Sequence, residues 1–344
     1  MSTPRPRALL VAYRLAQPSF RYRMDCLVEP LSEAGWDVER LELPAGRYGW
    51  RLLAARAALA RASVTVLQQV KLSAPEAWLL RRLTAHAVFD LDDAIYVRKP
   101  RRLGAPADEG RWRRMKFLAT CRAMDTVVVG NEVLRAEAER AGRPVVVLPT
   151  ALDAGRYTQA TANADLPPTV VWIGSPENLV YLELVRPALA ALSRRHPDLV
   201  LKVICSAFPD WPELRIERVA WSAATEAAAL GRAHVGIMPL TDDAWARGKC
   251  AFKLLQYMAA GLPCVASPVG ANRAAVIDGT TGFLADTPAE WEAALGRLLA
   301  DPALRAAQGR AGHAHLLKDY SVTGYATRYV DLLATLAGTG SQRT

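Results

Sequence analysis

The sequence lacks the features of membrane-spanning, secreted and zinc-binding proteins. Its 344 residues contain no apolar run of about 18 residues, the length that a membrane-spanning helix needs. Its N-terminal residues lack the long apolar region and the cleavage site of a signal peptide. The five cysteines are scattered and form no CxxC pair, which argues against a zinc site and for reduced thiols. These absences together predict a cytoplasmic protein.

Two further absences concern ligands. Aromatic residues make up only 7% of the chain and rarely interleave with basic ones, and no nucleic-acid-binding motif occurs, so nucleic acid is not an expected partner. The motif GxGxxG follows neither the first predicted strand nor Thr169–Ile173, the first predicted strand of the second half. A dinucleotide-binding oxidoreductase would need those glycines after such a strand. The sequence therefore disfavours that class.

Positive charge is abundant and uneven. The net charge is +9, and one stretch of nineteen residues, 98–116, holds eight cations against Asp108 and Glu109. Its basic residues are Arg98, Lys99, Arg101, Arg102, Arg111, Arg113, Arg114 and Lys116. Such a stretch suits an anionic membrane surface, or it binds a phosphate or carboxylate of a substrate. The alternative is a solvated basic face.

Apolar strands alternate with helices along the whole chain, which is typical of an α/β protein with parallel, doubly wound sheets. The alternation restarts after a Thr-, Asn- and Pro-rich linker at 151–168. We therefore predict two Rossmann-like domains that face across a cleft. The predicted divisions are 1–160, 161–319, a crossing helix at 320–337 and a disordered tail at 338–344. Long helices are expected from Phe20 to about Ala34 and over Leu179–His196.

The stretch Gly248–Pro268 predicts an anion site. A helix is expected to open directly after Gly248, with Lys249 and Lys253 one turn apart on the same face. Unpaired N–H groups and the dipole at a helix N-terminus favour bound anions. The site would suit a diphosphate. The alternative is an amphipathic helix whose lysines are merely solvated.

The chain resembles GT-B fold glycosyltransferases of the retaining family-4 type (glycosyltransferase group 1). The resemblance is strongest in the second half and weak before residue 85. The residues that carry it are Gly236–Leu240, Gly248–Pro263, Ser267–Gly270, Gly279–Leu284, Asp92-Asp93, Val129–Asn131, Leu148–Thr150 and Tyr320-Ser321.

The resemblance implies a metal-independent hexosyltransferase without a cofactor. Its donor would be a UDP- or GDP-linked sugar, and its acceptor a hydroxyl of a glycan or lipid-linked molecule in surface polysaccharide or glycolipid synthesis. The expected donor-binding residues are Gly174, Ser175, Asn178, Gly248, Lys249, Cys250, Ala251, Phe252, Lys253 and Gln256. The expected catalytic residues are Asp92, Asp93, Lys249 and Lys253, and the expected acceptor-binding residues are Ser19, Arg21, Arg23 and Asn131.

The chain departs from the family pattern at several places. The usual pair of glutamates falls on Gly248 and Gln256, and Gln256 could still bind ribose hydroxyls through its amide oxygen. Asp242 and Asp243 lie just upstream of the missing carboxylate. The usual cations are absent from 174–178, and Lys249 and Lys253 would replace them. A catalytically silent nucleotide-sugar-binding subunit and a nucleotide-sugar epimerase remain the alternatives.

Overall fold

The strands form two parallel sheets in the computed structural model, which describes residues 4–100, 103, 110–157, 159, 163 and 165–339. The first six-stranded sheet has the order β2-β1-β3-β4-β5-β6, and the second has the order β12-β11-β10-β7-β8-β9. In the first sheet the strands are β1 Arg7–Ala12, β2 Asp37–Glu42, β3 Val64–Gln68, β4 His86–Leu91, β5 Thr126–Val129 and β6 Val145–Val147. In the second they are β7 Thr169–Ile173, β8 Val200–Cys205, β9 Arg215–Ala220, β10 Val235–Met238, β11 Cys264–Ala266 and β12 Gly282–Leu284.

Burial along the strands follows their place in the sheets. The interior strands β5 and β7 have the sequences TVVV and TVVWI, and every residue in them is buried. The edge strands β2 and β9 are rich in charged residues, and four of the six residues in each are exposed. Both sheets are parallel throughout and doubly wound, which confirms the predicted fold class.

Helices cover both faces of each sheet. The first half contains α1 Pro18–Arg23, α2 Val28–Glu33, α3 Tyr48–Ala54, α4 Arg56–Arg61, α5 Ala74–Leu83, α6 Arg111–Arg122 and α7 Glu132–Glu139. The second half contains α8 Arg186–Arg195, α9 Glu226–Gly231, α10 Ala244–Arg247, α11 Phe252–Ala259, α12 Asn272–Ala275, α13 Pro288–Ala300, α14 Pro302–Asp319 and α15 Val322–Thr339. The predicted linker at 151–168 and the predicted tail at 338–344 each fall partly on residues outside those described.

Two predicted long helices are shorter in the structure, and proline is the reason. The helix expected from Phe20 to Ala34 is divided into α1, a 3₁₀ turn and α2, which contains Pro30. The helix expected over Leu179–His196 is a 3₁₀ segment to Leu184 followed by α8, whose first turn contains Pro187. Proline lacks an N–H and clashes with the carbonyl one turn earlier, so it fits only the first turn of a helix.

The first sheet separates two helical layers. Side chains of α3, α4, α5, α6 and α7 pack with Leu9, Val11 and Phe89 on one face. On the other face, α1, α2 and α15 pack with Leu10 of β1. The last helix, α15, therefore lies against the first half of the chain although it follows the second half in sequence.

A buried ion pair joins these elements. Arg23 and Asp90 are both completely buried, with Nε–Oδ1 and Nη2–Oδ2 distances of 2.7 and 2.8 Å. Arg23 Nη1 also donates to the carbonyl of Leu148 at 3.0 Å. Tyr329 of α15 donates to Asp90 Oδ2 at 3.3 Å, and Tyr325 donates to the carbonyl of Arg23 at 2.8 Å. The expectation that Arg23 binds an acceptor is wrong, because its guanidinium is enclosed and engaged by these groups.

Asp90→Ala should destabilise the fold strongly. The substitution leaves the Arg23 guanidinium buried without a counter-charge, a loss of about 3–5 kcal/mol in the free energy of unfolding. Urea denaturation measures that loss. Glu139→Ala is the control, because Glu139 pairs with Arg135 on the exposed surface of α7. An equally small change in both variants would contradict a stabilising role for the buried pair.

Candidate active site

A cavity of about 400 Å³ lies between the carboxyl ends of the two sheets. Loops after β1 and β4 contribute from the first half, and loops after β7, β8, β9 and β10 contribute from the second. Its polar and aromatic lining includes Ser19, Arg21, Tyr22, Asp92, Asp93, Thr150, Ser175, Asn178, Ser206, Trp221, Glu226, Lys249, Phe252, Lys253 and Gln256. Ligands of open parallel sheets bind at this edge.

Two carboxyls form the acidic wall of the cavity. Asp92 and Asp93 follow β4 directly, and Gln69, which follows β3 with φ of 55°, donates its amide to Asp92 Oδ1. Burial, and then the charge of Asp93, raises the pKa of Asp92 to about 7. Burial also raises the pKa of Asp93, although Lys249, Lys253 and Lys99 oppose that shift. Asp92 is therefore partly protonated at neutral pH.

Three lysines face this wall. Lys249 and Lys253 line the cavity, and their Nζ atoms lie 5.5 Å from the Trp245 ring and 5.7 Å from the Trp172 ring. Burial, followed by the charges of Lys249 and Lys99, lowers the pKa of Lys253 to about 7. The three ammonium groups are thus close enough to repel one another where no anion lies between them.

Lys99 reaches this cluster from the first half of the chain. Its Nζ donates to the carbonyl of Glu177 at 2.8 Å and to Asn178 Oδ1 at 2.9 Å. Burial and the charge of Lys249 lower the pKa of Lys99 to about 8. In the sequence Lys99 stands out only as one residue of the basic stretch. The sequence shows that the loop before the predicted helix is charged, but it does not indicate that this loop contacts the second half.

The backbone around Gly248 differs from its prediction. Helix α11 begins at Phe252, after Ala251 with φ of 55°, while Gly248 ends the short helix α10. Lys249 therefore lies in a loop, and the lysines do not form an i, i+4 helical pair. Asp243 caps α10 by accepting from the backbone N–H groups of its first turn, which explains why a separate helix forms there.

Gly248 and Asn131 join the two halves of the chain. A Cβ on Gly248 would lie 2.4 Å from that of Ala94. Asn131 caps α7 through Oδ1 and donates Nδ2 to the carbonyls of Gly248 and Lys249 at 3.1 and 3.0 Å. Neither residue lines the cavity. The expected donor role of Gly248 and acceptor role of Asn131 are therefore replaced by roles in packing the two halves together.

Neither upstream aspartate replaces the missing glutamate. Asp243 caps α10, and Asp242 pairs with Arg247 at 2.5 Å, so both carboxylates are occupied outside the cavity lining. Gln256 does line the cavity, and its Nε2 donates to Tyr157 at 3.2 Å.

Glu226 is a carboxylate of the cavity lining that the sequence did not indicate. It is only 3% exposed, and it accepts from Tyr22 at 3.1 Å and from Trp221 Nε1 at 2.7 Å. Arg21 donates to the Tyr22 hydroxyl and lies 3.8 Å from Glu226. The Tyr22 ring contacts that of Phe252 with centroids 4.1 Å apart. These groups form an aromatic end of the cavity, where Ser19, Arg21 and Phe252 were expected and Tyr22, Trp221 and Glu226 were not.

The described residues hold no group of three or more His, Cys, Asp or Glu side chains arranged to bind a metal ion. Within the same residues, no helix combines the length and the apolar character needed to span a bilayer.

Two doubly wound parallel sheets that face across a ligand cleft define the GT-B class of glycosyltransferases, and the chain has this architecture. Sucrose-phosphate synthase from Thermosynechococcus elongatus superposes with a TM-score of 0.74 at 18% identity, covering 98% of this chain and 100% of that one. HepE from Anabaena, solved with UDP and glucose, gives 0.68 at 11% identity, with 96% and 100% covered.

Residues 167–301 match the family model described as Glycosyl transferases group 1. D-inositol 3-phosphate glycosyltransferase from Corynebacterium urealyticum is 26% identical, over 77% of this chain and 70% of that protein. Residues 167–301 are thus a group 1 glycosyltransferase domain within a chain of GT-B fold, and the matches together support a transferase enzyme. The resemblance seen in the sequence is confirmed, and a retaining family-4-like type is consistent with these matches.

Asp92→Asn should stabilise the folded protein at neutral and basic pH. The pKa of Asp92 rises from an ordinary range near ~4 in the unfolded chain to about 7 in the folded one. Between these values the folded state binds the extra proton, so its stability falls as pH increases. An uncharged amide removes that penalty, which we expect to raise the free energy of unfolding by roughly 1–2 kcal/mol at about pH 8 and by less at about pH 5.

Urea denaturation at the two pH values measures this effect. Asp210→Asn is the control, because Asp210 is an exposed carboxyl whose side chain is 98% accessible. The same pH profile in both variants would show that the environment of Asp92 does not disfavour its charge.

Proposed function

We propose that the protein transfers a hexosyl group from a nucleotide-diphosphate sugar to a hydroxyl of a glycan or lipid-linked acceptor, with retention of configuration. The single observation that carries the donor assignment is the cluster of Lys99, Lys249 and Lys253 at the cleft of a group 1 chain. The complex of Anabaena HepE with UDP and glucose supports a nucleotide donor. Either a UDP- or a GDP-linked sugar fits the proposal.

The lysines would stabilise the leaving diphosphate. Negative charge builds on the β-phosphate oxygen as the glycosidic bond breaks, and preorganised cations in a water-poor site are effective there. Burial and mutual repulsion disfavour the charged form of Lys253 in the free protein. A bound diphosphate would offset the cost of charging Lys253, so the cluster should bind an anionic ligand.

The carboxyls Asp92 and Asp93 would orient the transferred sugar or the acceptor hydroxyl. With a pKa of about 7, Asp92 can both accept and donate hydrogen bonds near neutral pH. The resemblance implies that the leaving phosphate itself takes the acceptor proton in retaining enzymes of this type. A separate side-chain base is then unnecessary, and the carboxyls act by positioning.

The aromatic end of the cavity would hold the nucleoside. Trp221 is 42% exposed there, and the Tyr22–Phe252 ring pair lies in the same lining. A planar base can stack on such surfaces, while the amide of Gln256 can bond ribose hydroxyls. Ser19 and Arg21, from the first half, would then face the acceptor.

A catalytically silent nucleotide-sugar-binding subunit is the alternative. Gly248 stands where the family has its first glutamate, and residues 174–178 lack the usual cations. A nucleotide-sugar epimerase is disfavoured because no histidine lines the cavity in the described part of the chain. The proposal assigns the acceptor to surface polysaccharide or glycolipid synthesis, at the inner face of the plasma membrane.

Turnover of nucleotide sugars by the purified protein, with and without a lipid extract, tests the proposal. Asp92→Asn and Asp93→Asn should each lower turnover by roughly tenfold or more, the scale of positioned-group effects. Their melting temperatures should not fall. Donor binding without turnover under every condition would favour the silent subunit.

Binding of UDP or GDP should take up protons at about pH 7.5. Lys253 is partly neutral at that pH because its pKa in the free protein is about 7, and a diphosphate stabilises its ammonium form. Calorimetry in buffers of different ionisation enthalpy measures the uptake. It should decrease in Lys253→Arg, which is charged throughout, and disappear in the parent at lower pH.

Lys249→Ala and Lys253→Ala should weaken the same nucleotides by roughly 10- to 100-fold, equivalent to about 1.5–3 kcal/mol for a charge-assisted contact. Lys318→Ala, an exposed lysine of α14, is the control. Parent-like affinity in both cleft variants would assign the diphosphate to another site.

A further inference from the structure

Five large apolar side chains are exposed on three adjacent helices of the first half. Helix α5 packs against α3 on one side and α6 on the other, and all three cover the same face of the first sheet. These helices expose Trp50, Leu53, Trp78, Trp112 and Met115, which we call the tryptophan face. The exposed fractions of Trp50, Trp78 and Trp112 are 76%, 60% and 76%.

The inward sides of the helices explain why these residues point outward. Phe117 and Cys121 of α6, and Ala77 and Leu80 of α5, form the contact with the sheet. Trp112 therefore remains on the opposite side of its helix. Clustered exposed indoles are unusual on a soluble surface and mark a site of interaction.

The charge of the tryptophan face is almost entirely positive. The three helices carry one acidic residue, Glu76, whose carboxylate is engaged in the capping box with Ser73. Their cations are Arg51, Arg81, Arg82, Arg111, Arg113, Arg114, Lys116 and Arg122. Two of these, Arg81 and Arg114, pair with Asp125 and Glu137. The remaining positive charge is complementary to an anionic surface.

Neighbouring groups respond to this positive potential. Lys71 lies in the loop before α5, and burial together with the charges of Arg113 and Lys116 lowers its pKa to about 8. Arg82 lies over the Trp78 ring at 5.1 Å, so cations and indoles are intermixed. Intermixed indoles and cations suit the headgroup region of a bilayer, which accepts both groups.

The tryptophan face also borders the cleft. Trp50 and Trp112 lie in the first turns of α3 and α6, which follow strands of a parallel sheet. Such helix starts are at the carboxyl edge of the sheet, the edge that forms the cleft. Arg111, Arg113 and Lys116 do not line the cavity, which disfavours the idea that they hold an acceptor's own phosphate.

We propose that the tryptophan face and its cations dock the enzyme on an anionic lipid bilayer, with the indoles among the headgroups and the cleft facing the membrane surface. The proposal rests on the proposed function, because docking would bring the cleft close to a lipid-linked acceptor. It replaces the continuous basic stretch 98–116 by a surface that α3, α5 and α6 share. Arg101, Arg102, Asp108 and Glu109 of that stretch lie outside the described residues.

Docking by these groups is peripheral and reversible. Cations attract anionic lipids only within a Debye length of about 8 Å at physiological salt, so high salt should release the protein. Co-sedimentation of the full chain with vesicles of phosphatidylglycerol and phosphatidylcholine in equal parts measures binding. Vesicles of phosphatidylcholine alone should leave the protein in the supernatant.

Two combined variants separate the charges from the indoles. Arg111→Ala/Arg113→Ala/Lys116→Ala should weaken binding to the anionic vesicles roughly 100-fold, about fivefold for each cation. Trp50→Gln/Trp78→Gln/Trp112→Gln should weaken it roughly tenfold or more, because the indoles no longer enter the interface. The matched controls, Arg194→Ala/Arg310→Ala/Lys318→Ala and Leu317→Gln, change exposed residues of the second half and should sediment like the parent.

Three outcomes of the co-sedimentation experiment would overturn the docking proposal. These are no sedimentation of the parent, equal sedimentation with neutral vesicles, and equal losses in the controls. A parent dimer that becomes a monomer in the tryptophan variant would likewise overturn it, because the face would then join two copies of the chain. UDP and GDP binding, measured on the same variants by thermal shift, should stay unchanged. Retained nucleotide binding and turnover without docking would remove this inference alone and leave the proposed function standing.

Discussion

The buried pair of Arg23 and Asp90 is the interaction on which the rest of the structure depends. It joins the end of α1 to the end of β4, and its remaining donors bond Leu148 and Thr150 at the close of the first half. Two tyrosines of α15 complete the cluster. Removing two charges from water is costly, and only such complete pairing makes it tolerable. Because Asp92 and Asp93 lie two and three residues after Asp90, this cluster also holds the acidic wall of the cleft in place.

The cleft contrasts with that satisfied pair. Asp92 and Lys253 are disfavoured in their charged forms, and each titrates near pH 7 within one cavity. Buried groups with disfavoured charges reduce the stability of the ligand-free protein, and they are typical of sites where a ligand supplies the opposite charge. Lys99 and Asn131 of the first half both donate hydrogen bonds to the second half. The charge of the site therefore depends on how the two halves meet.

The two helical layers of the first sheet have different tasks. One layer, α1, α2 and α15, is closed by the returning last helix and its tyrosines. The other, which includes α3, α5 and α6, carries the exposed indoles. The first sheet thus packs against α15 on one face, and on the other face against the helices that we infer contact lipid.

The sequence by itself determined the class of fold and most of the cleft edge. Runs such as TVVV and TVVWI specify buried parallel strands, and polar residues directly after them, such as Asp92 and Asp93, must lie at one edge of the sheet. The same reasoning, with the resemblance, located Lys249 and Lys253 at the cavity. Helix ends were less predictable where proline or a short capped helix interrupts the period, as at Pro30, Pro187 and Asp243.

Only the tertiary structure decided which polar side chains face the ligand. The sequence suggested that Arg23 lies in the cleft, but its guanidinium pairs with Asp90, 67 positions away. The Asn131 amide donates to the backbone carbonyl of Gly248, 117 positions away. Glu226 and Lys99 are held at the site by hydrogen bonds to residues of the other half. A local pattern reports the period and burial of one element. It cannot report which distant group neutralises a charge, because that depends on how the two sheets and α15 pack together.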